Sequence, residues 1–403
     1  MELANKLFKG DRVVWVIFMF LCLISLVEVY SATSTLAYKN AYYWSPIARH
    51  ATFLFIGFGA VLLLHNIPSK YYSFAVMFLP VAILMLAVTP FIGVRANDAA
   101  RWLEFGGISF QPSEIAKLLC IIFVAFVLSK QEKYTPDKTF WIIIVGVGIT
   151  CALIFPENFS TALILFVVCI TMMFVGQAPL KKLFLLCGAL VLSGILLIFT
   201  LEYLPKSFVK EHLPDRLATW QSRIEDFGSR KDSTKFAFND SNYQVTHASI
   251  AIARGGIIGK LPGRSLQRDF LPQAYSDFIY AIIIEEMGLA GGIFVLLLYV
   301  VLMFRVAIIA RRCDKLFPKY LVLGCGLLIV IQAFINMAVA VRLIPVTGQP
   351  LPLISRGGTS TVLTCVYFGI ILSVSRFGAK MGDEDLPEIE AETEPEPELA
   401  NDD

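Results

Sequence analysis

Charge is scarce in this chain. Asp, Glu, Lys and Arg make up 16% of its 403 residues, and hydrophobic residues reach 57%. Soluble domains carry about 25% charged residues, so the composition excludes a chain that lives in water and implies one embedded in lipid. Metal-ligand spacing is absent too. The eight cysteines (22, 120, 151, 169, 187, 313, 325 and 365) lie in apolar runs or beside Arg311 and Arg312, and none lies in the large polar segment. That excludes a disulfide framework and a cysteine-built metal site, leaving free thiols packed between helices. The first apolar run, VVWVIFMFLCLISLVEVYSA, lacks a cleavage context and is long enough to span a bilayer, so no removable signal peptide is expected. Neither an internal repeat nor a soluble catalytic domain is visible. Any chemistry must use loops and helix ends.

Long apolar runs fill the rest. They predict an all-α polytopic membrane protein with ten transmembrane helices near 13–31, 50–65, 72–93, 113–129, 139–155, 160–176, 183–203, 277–307, 320–341 and 357–375. Lys and Arg crowd one set of connections: Lys6, Lys9, Arg12, then Lys70, Lys130, Lys133, Lys138, Lys181, Lys182, Arg305, Arg311, Arg312, Lys315, Lys319, Arg376 and Lys380. The bias puts both termini in the cytoplasm, which an even number of spans allows. The polar segment 204–276, between the seventh and eighth spans, then falls outside; its flanks SFVKEHLPDRLATW and YQVTHASIAIARGG have helical periodicity. One membrane domain is expected over 1–380, followed by a disordered acidic cytoplasmic tail over 381–403. Residues 383–403 hold 11 acids and no bases, so 34 basic residues face 21 acids elsewhere, a balance of +13.

Three polar clusters fall on the outer side. In NDAARWLEFGGISFQPSEIAKL (97–118), Glu114 and Lys117 share a helical face. They either neutralise one another or serve a ligand. Arg101, beside Trp102, offers a guanidinium for phosphate recognition or an interfacial anchor. In LPQAYSDFIYAIIIEEMG (271–288), Asp277 stands at the outer mouth of a helix, where water and a polar substrate can reach it; the bland alternative is a residue favoured by the helix dipole, with Ser276 as cap. Glu285 and Glu286 lie deeper, as suited to tying helices together as to touching substrate, and adjacent positions are expected to point apart. In RLIPVTGQPLPLISRGGTS (342–360), three prolines, three glycines and a Ser-Arg-Gly-Gly turn break the helical pattern. Irregular backbone at membrane depth survives only against protein or a wet cavity, which places Ser355 and Arg356 near a polar wall.

Taken together, RW (101–102), QPSEIAK (111–117), RLATW (216–220), YQ (243–244), GGIIGKLPGRS (255–265), the 271–288 stretch and PVTGQPLPLISRGGTS (345–360) resemble the SEDS family (shape, elongation, division and sporulation), over about residues 10–378. The resemblance implies ten transmembrane helices and an inverting glycosyltransferase that polymerises lipid II at the outer face of the bacterial cytoplasmic membrane. It implies that Asp277, in the position of the family's essential aspartate, is the catalytic base. Arg101 and Lys117 are then the first candidates for the pyrophosphate, with Glu114, Arg216, Gln244 and Ser355 as further substrate-binding candidates; Glu285 and Glu286 are structural or secondary. No protein-built metal site is expected; a divalent cation such as Mg or Mn is a candidate cofactor. Implied partners are lipid II, undecaprenyl-pyrophosphate-linked glycan, a class B penicillin-binding protein, other divisome proteins and membrane lipid, with no nucleic acid.

Departures from the family pattern are Gln273, Tyr275, Asn158, Arg356 and His247; none touches Asp277. The SRGGTS turn and the closing ILSVSR favour the division-type (FtsW-like) branch and hence the septum; PVTGQPLPLIS keeps the elongation-type (RodA-like) branch open. A lipid II flippase and a non-catalytic scaffold remain as rivals.

Overall fold

A computed structural model describes residues 8–33, 45–96, 99–105, 108–131, 133–203, 243–271 and 274–378. The acidic tail and most of the 204–276 segment, Arg216 included, lie outside the described residues.

The expected spans appear as helices: α1 Arg12–Ala32, α2 Ser45–Leu64, a 3-10 stretch Ser69–Phe78 running into α3 Leu79–Ile92, α4 Pro112–Leu128, α5 Pro136–Ile154, α6 Phe159–Val175, α7 Leu180–Tyr203, α9 Ile279–Arg312, α10 Leu316–Ala340 and α11 Thr359–Phe377. Seven of these segments are long and apolar enough to cross a membrane by length and composition, and α6 is a shorter apolar helix. The chain is therefore a multi-pass helical membrane protein. Outside the spans, α8 Tyr243–Gly255 confirms the periodicity of YQVTHASIAIARGG. The sequence reading lacked one element: a three-stranded antiparallel sheet, β1 Val94–Ala96, β2 Ala99–Phe105 and β3 Ile108–Phe110, between α3 and α4. Its outer strands have three residues each, and the seven of the central one, AARWLEF, do not alternate apolar with polar.

Helix α10 occupies the middle, packed against α4, α6, α9 and α11. Small residues bring the axes close, as membrane packing favours. Gly324 lies against Ile121 and Met172, and Gly326 against Val306. The eight cysteines are free thiols, buried or half-buried, as the sequence implies.

The two ends of the bundle differ. One collects the Lys/Arg-rich connections and cross-links them. Asp11 caps α1 by accepting from Val13 N at 2.9 Å and Val14 N at 3.1 Å, and also pairs with Arg305 of α9. Arg376 donates to Asn66 Oδ1 at 2.5 Å, and Lys182 meets Asp137 at 2.9 Å. The opposite end carries the small sheet, Asp277 and the 342–358 connection.

The longest helix is broken where it matters. At Gly288 the backbone of α9 takes φ 72° and ψ −178°, and the segment after α8 docks into the gap. Lys260 N donates to Glu285 O at 3.1 Å and Leu261 N to Glu286 O at 2.8 Å. In return Leu289 N donates to Gly256 O at 2.9 Å and Ala290 N to Ile257 O at 3.2 Å. The groups freed by the break are thus satisfied by a second strand of backbone rather than left bare in lipid.

Only glycine fits at 288, because a Cβ there would meet Ile257 O at 2.2 Å. Gly288→Ala is expected to lower stability by about 1 kcal/mol or more, read as a lower unfolding midpoint in detergent. Gly148→Ala on α5, where a Cβ meets nothing within 4 Å, should hold or raise the midpoint. Equal midpoints for both variants would contradict the backbone docking.

Candidate active site at the mouth of helix α9

Asp277 does not sit in the helix. It belongs to a turn over residues 274–278, ahead of the first residue of α9, Ile279. No side chain caps this helix, and Ser276 instead donates to Asp277 Oδ1 at 2.8 Å. The Ser276 cap therefore does not form: the half-buried carboxylate takes the hydroxyl's hydrogen bond and stands two residues ahead of the helix. A side chain built on Gly348 would lie 3.6 Å from Asp277 Oδ2, so the bare glycine leaves the carboxylate room.

The turn is pinned from three sides. Asn336, one turn from the end of α10, donates through Nδ2 to Asp277 O at 2.9 Å and to Gln349 O at 2.7 Å. Ser355 donates to Ser276 O at 2.6 Å and accepts from Leu351 N at 2.8 Å. Arg356 N donates to Tyr275 O at 2.9 Å while its guanidinium lies 5.2 Å from the Tyr275 ring centroid. With its hydroxyl used in both directions and 2% of its surface exposed, Ser355 acts here as a pin for the two loops.

The 345–356 connection is held in turn by α10, α6 and α1. Gln332 donates to Pro350 O at 3.1 Å, Gln349 donates to Thr161 Oγ1 at 3.0 Å, and Ser25 donates to Ile354 O at 2.9 Å. Gln332 and Asn336 stand one helical turn apart and so share a face. Gln332 also leads to the predicted ion pair. Lys117 Nζ lies 2.8 Å from Glu114 Oε1 and donates to Gln332 Oε1 at 3.4 Å, with 1% of its surface exposed. Glu114 and Lys117 therefore neutralise one another inside the bundle and join the network that supports the Asp277 loop.

Arg101 is brought near the same end by a different route. Its Nε donates to Glu157 O at 2.8 Å. Arg101 lines a narrow cleft of about 20 Å³ with Gln111, Ser113, Glu157 and Asn158 on its polar side and Leu86, Leu153 and Ile154 on its apolar side. Asn158 links cleft to loop: its Oδ1 accepts from Thr161 N at 3.2 Å, capping α6, and from Gln349 Nε2 at 3.4 Å. Gln244 is half-buried in the first turn of α8, which packs on α9.

Glu285 and Glu286 correct one expectation. Although adjacent on the helix, both carboxylates bind the same segment, because residues 263–268 wrap around α9. Glu286 accepts from Gly263 N at 3.0 Å, Ser265 N at 3.2 Å and the Ser31 hydroxyl. Glu285 accepts from Gln267 N at 3.2 Å, Leu266 N at 3.3 Å and the Ser265 hydroxyl, with Lys260 Nζ at 3.6 Å. Both are fully buried and structural. Among the described residues, no group of three or more His, Cys, Asp or Glu is placed to hold a metal ion.

The model of the FtsW/RodA/SpoVE family, described as "Cell cycle protein", matches residues 11–380. The chain belongs to this family. Similar members include the probable peptidoglycan glycosyltransferase FtsW of Coxiella burnetii, 31% identical over 381 residues, with 90% of this chain and 95% of that protein covered. The FtsW of Nitrosococcus halophilus is 35% identical over 304 residues, covering 74% of this chain and 73% of the relative. Stage V sporulation protein E of Bacillus subtilis is 30% identical over 386 residues, covering 93% and 99%. Two solved structures share the fold. One, described as structural coordination of polymerization and crosslinking by a peptidoglycan synthase complex, aligns with TM-score 0.68 at 22% identity, over 91% of this chain and 98% of that one. The other is Thermus thermophilus RodA, with TM-score 0.65 at 21% identity, over 92% and 97%.

Within this family member, the residues that the sequence reading missed are Gln332, Asn336 and Gln349. Their signal was present. Two amides at helical spacing inside the apolar run LVLGCGLLIVIQAFINMAVA are costly unless bonded. Lys117→Met should cost about 3–5 kcal/mol by leaving Glu114 buried and unpaired. The double variant Glu114→Gln, Lys117→Met should recover most of that loss in thermal unfolding. A double variant as unstable as the single one would show that the two charges do not neutralise one another.

Proposed function

We propose that this chain is a peptidoglycan glycosyltransferase that polymerises lipid II, with Asp277 as its general base. The observation that carries the reading is the setting of that carboxylate: half-buried, off the helix, beside Gly348 and on backbone pinned by Asn336 and Ser355. Such a group can meet a sugar hydroxyl without rearranging, and positioned bases contribute about 10²–10⁴-fold to rate. Names among the relatives that cover most of the chain, "probable peptidoglycan glycosyltransferase FtsW", support the reaction class.

In the proposed step Asp277 takes the proton of the acceptor GlcNAc 4-hydroxyl. The oxygen attacks the anomeric carbon of the MurNAc end of the growing chain, and undecaprenyl pyrophosphate leaves with the bonding pair. An α-linked pyrophosphate becomes a β-1,4 bond in one inversion, so no sugar–enzyme intermediate forms. Cations near the departing pyrophosphate stabilise the transition state. Arg101, on the rim of the neighbouring cleft, fits that role better than Lys117, whose charge is spent on Glu114. Arg216 and Gln244 stay candidates for the same headgroups. A divalent cation stays a candidate cofactor that would supply further positive charge to the same leaving group. Both lipid tails stay in the bilayer while the headgroups meet at the Asp277 end of the bundle.

The Lys/Arg bias of the opposite end supports an outward-facing Asp277 and cytoplasmic termini. The similarity to proteins named FtsW supports septal wall synthesis, with the elongation branch as the alternative. The shared fold with a synthase complex that coordinates polymerisation and crosslinking supports a class B penicillin-binding protein as partner.

Purified chain with its transpeptidase partner, given lipid II, should produce glycan ladders on a gel. Asp277→Asn should cut ladder formation by about 10²-fold or more while leaving the unfolding midpoint and partner binding intact; added chelator tests the cation in the same reaction. Lipid II translocation without any ladder would support a flippase instead. Unchanged ladders from Asp277→Asn would remove the proposed base.

A further inference from the structure

Among the described residues, the segment that docks into the break of α9 carries an apolar tip that is largely exposed. Ile257 and Ile258 are 75% and 81% exposed, and Leu261 is 57% exposed. In water three bare aliphatic side chains in a row would be a liability. Their position is fixed by backbone pairing: Gly256 and Ile257 accept from Leu289 and Ala290, and Lys260 and Leu261 donate to Glu285 and Glu286. The tip is therefore level with the break in the helix.

That level can be placed in the bilayer. At about 1.5 Å per residue, Leu289 stands about 24 Å along α9 from Arg305 and about 33 Å from Arg311. The acyl layer is about 30 Å thick. With the basic end of α9 at one interface, Ile257 and Ile258 fall between about 6 Å inside and about 3 Å outside the opposite boundary of the acyl layer. Below them on the same helix, Leu289, Ile293 and Leu297 are exposed apolar side chains of a membrane span, so the tip continues a lipid-facing surface. Beyond the tip the chain stays beside the break, where Gly263 N is held by Glu286 and Arg264 is exposed.

We infer that the Gly256–Arg264 turn is a membrane anchor: Ile257, Ile258 and Leu261 insert among the acyl chains at the boundary on the Asp277 side, and Arg264 meets lipid phosphate. The partner is the phospholipid bilayer itself. The anchor ties the level of the bilayer to α8, whose Ala248 and Ala251 pack in one cluster with Ala274 and Phe278 of the Asp277 turn. The inference is independent of the reaction proposed for Asp277.

A photoreactive benzophenone amino acid in place of Ile258, or of Ile257 in a second variant, tests this in the full chain reconstituted into phosphatidylethanolamine–phosphatidylglycerol vesicles. The same amino acid in place of Leu297 reports a lipid-facing position on the span. Illumination should give phospholipid adducts at 258 or 257 in a yield comparable to that at 297. Adducts at 297 with only background at both 257 and 258 would overturn the anchor, whether the tip then proved to meet water or another protein segment.

Discussion

Backbone that is not helical cannot stand bare in lipid, and the organisation of this protein follows from that constraint. Besides the small sheet, two stretches break the helical rule at the Asp277 end: the 274–278 turn and the 345–356 connection. Each is stitched to its surroundings by side-chain amides and hydroxyls, with Asn336 bonded to both at once. Satisfying the carbonyls also fixes the atoms next to them. The carboxylate of Asp277 thereby inherits a position from hydrogen bonds made by its own main chain. Preorganisation of this kind costs no rearrangement when charge develops.

The same constraint acts a few turns deeper, where α9 breaks at Gly288. There the repair is made by another stretch of backbone, and two buried glutamates gather the amides of the wrapping segment. The two repairs are mechanically joined, because α9 begins at one and is interrupted at the other. Lys117 and Glu114 extend the support across α4 to Gln332, so charges that look substrate-facing in the sequence are used inside the bundle.

Much of this was legible before any coordinates. The long apolar runs located the spans, and a lone aspartate before a helix stood out because charge near lipid is expensive. What was not legible depends on partners distant in sequence. That Glu285 and Glu286 serve one wrapping segment requires knowing that residues 263–268 return to α9. Ser355 reads as a substrate contact until its hydroxyl is seen between Ser276 O and Leu351 N. Asn158, a departure from the family pattern, caps α6 and reaches Gln349. The small sheet before α4 escaped because its outer strands are three residues long and its central strand, AARWLEF, does not alternate apolar with polar residues.

The central claim is that one ionised carboxylate, held by the pinned turn, removes the proton in the bond-forming step. Its most direct test is the pH dependence of the initial polymerisation rate with saturating lipid II. The parent protein should lose rate on the acid side as the carboxylate is neutralised, and Asp277→Glu should keep an acid limb at reduced rate. The residual rate of Asp277→Asn should lack that limb; an acid limb of the same shape in the asparagine variant would contradict the account.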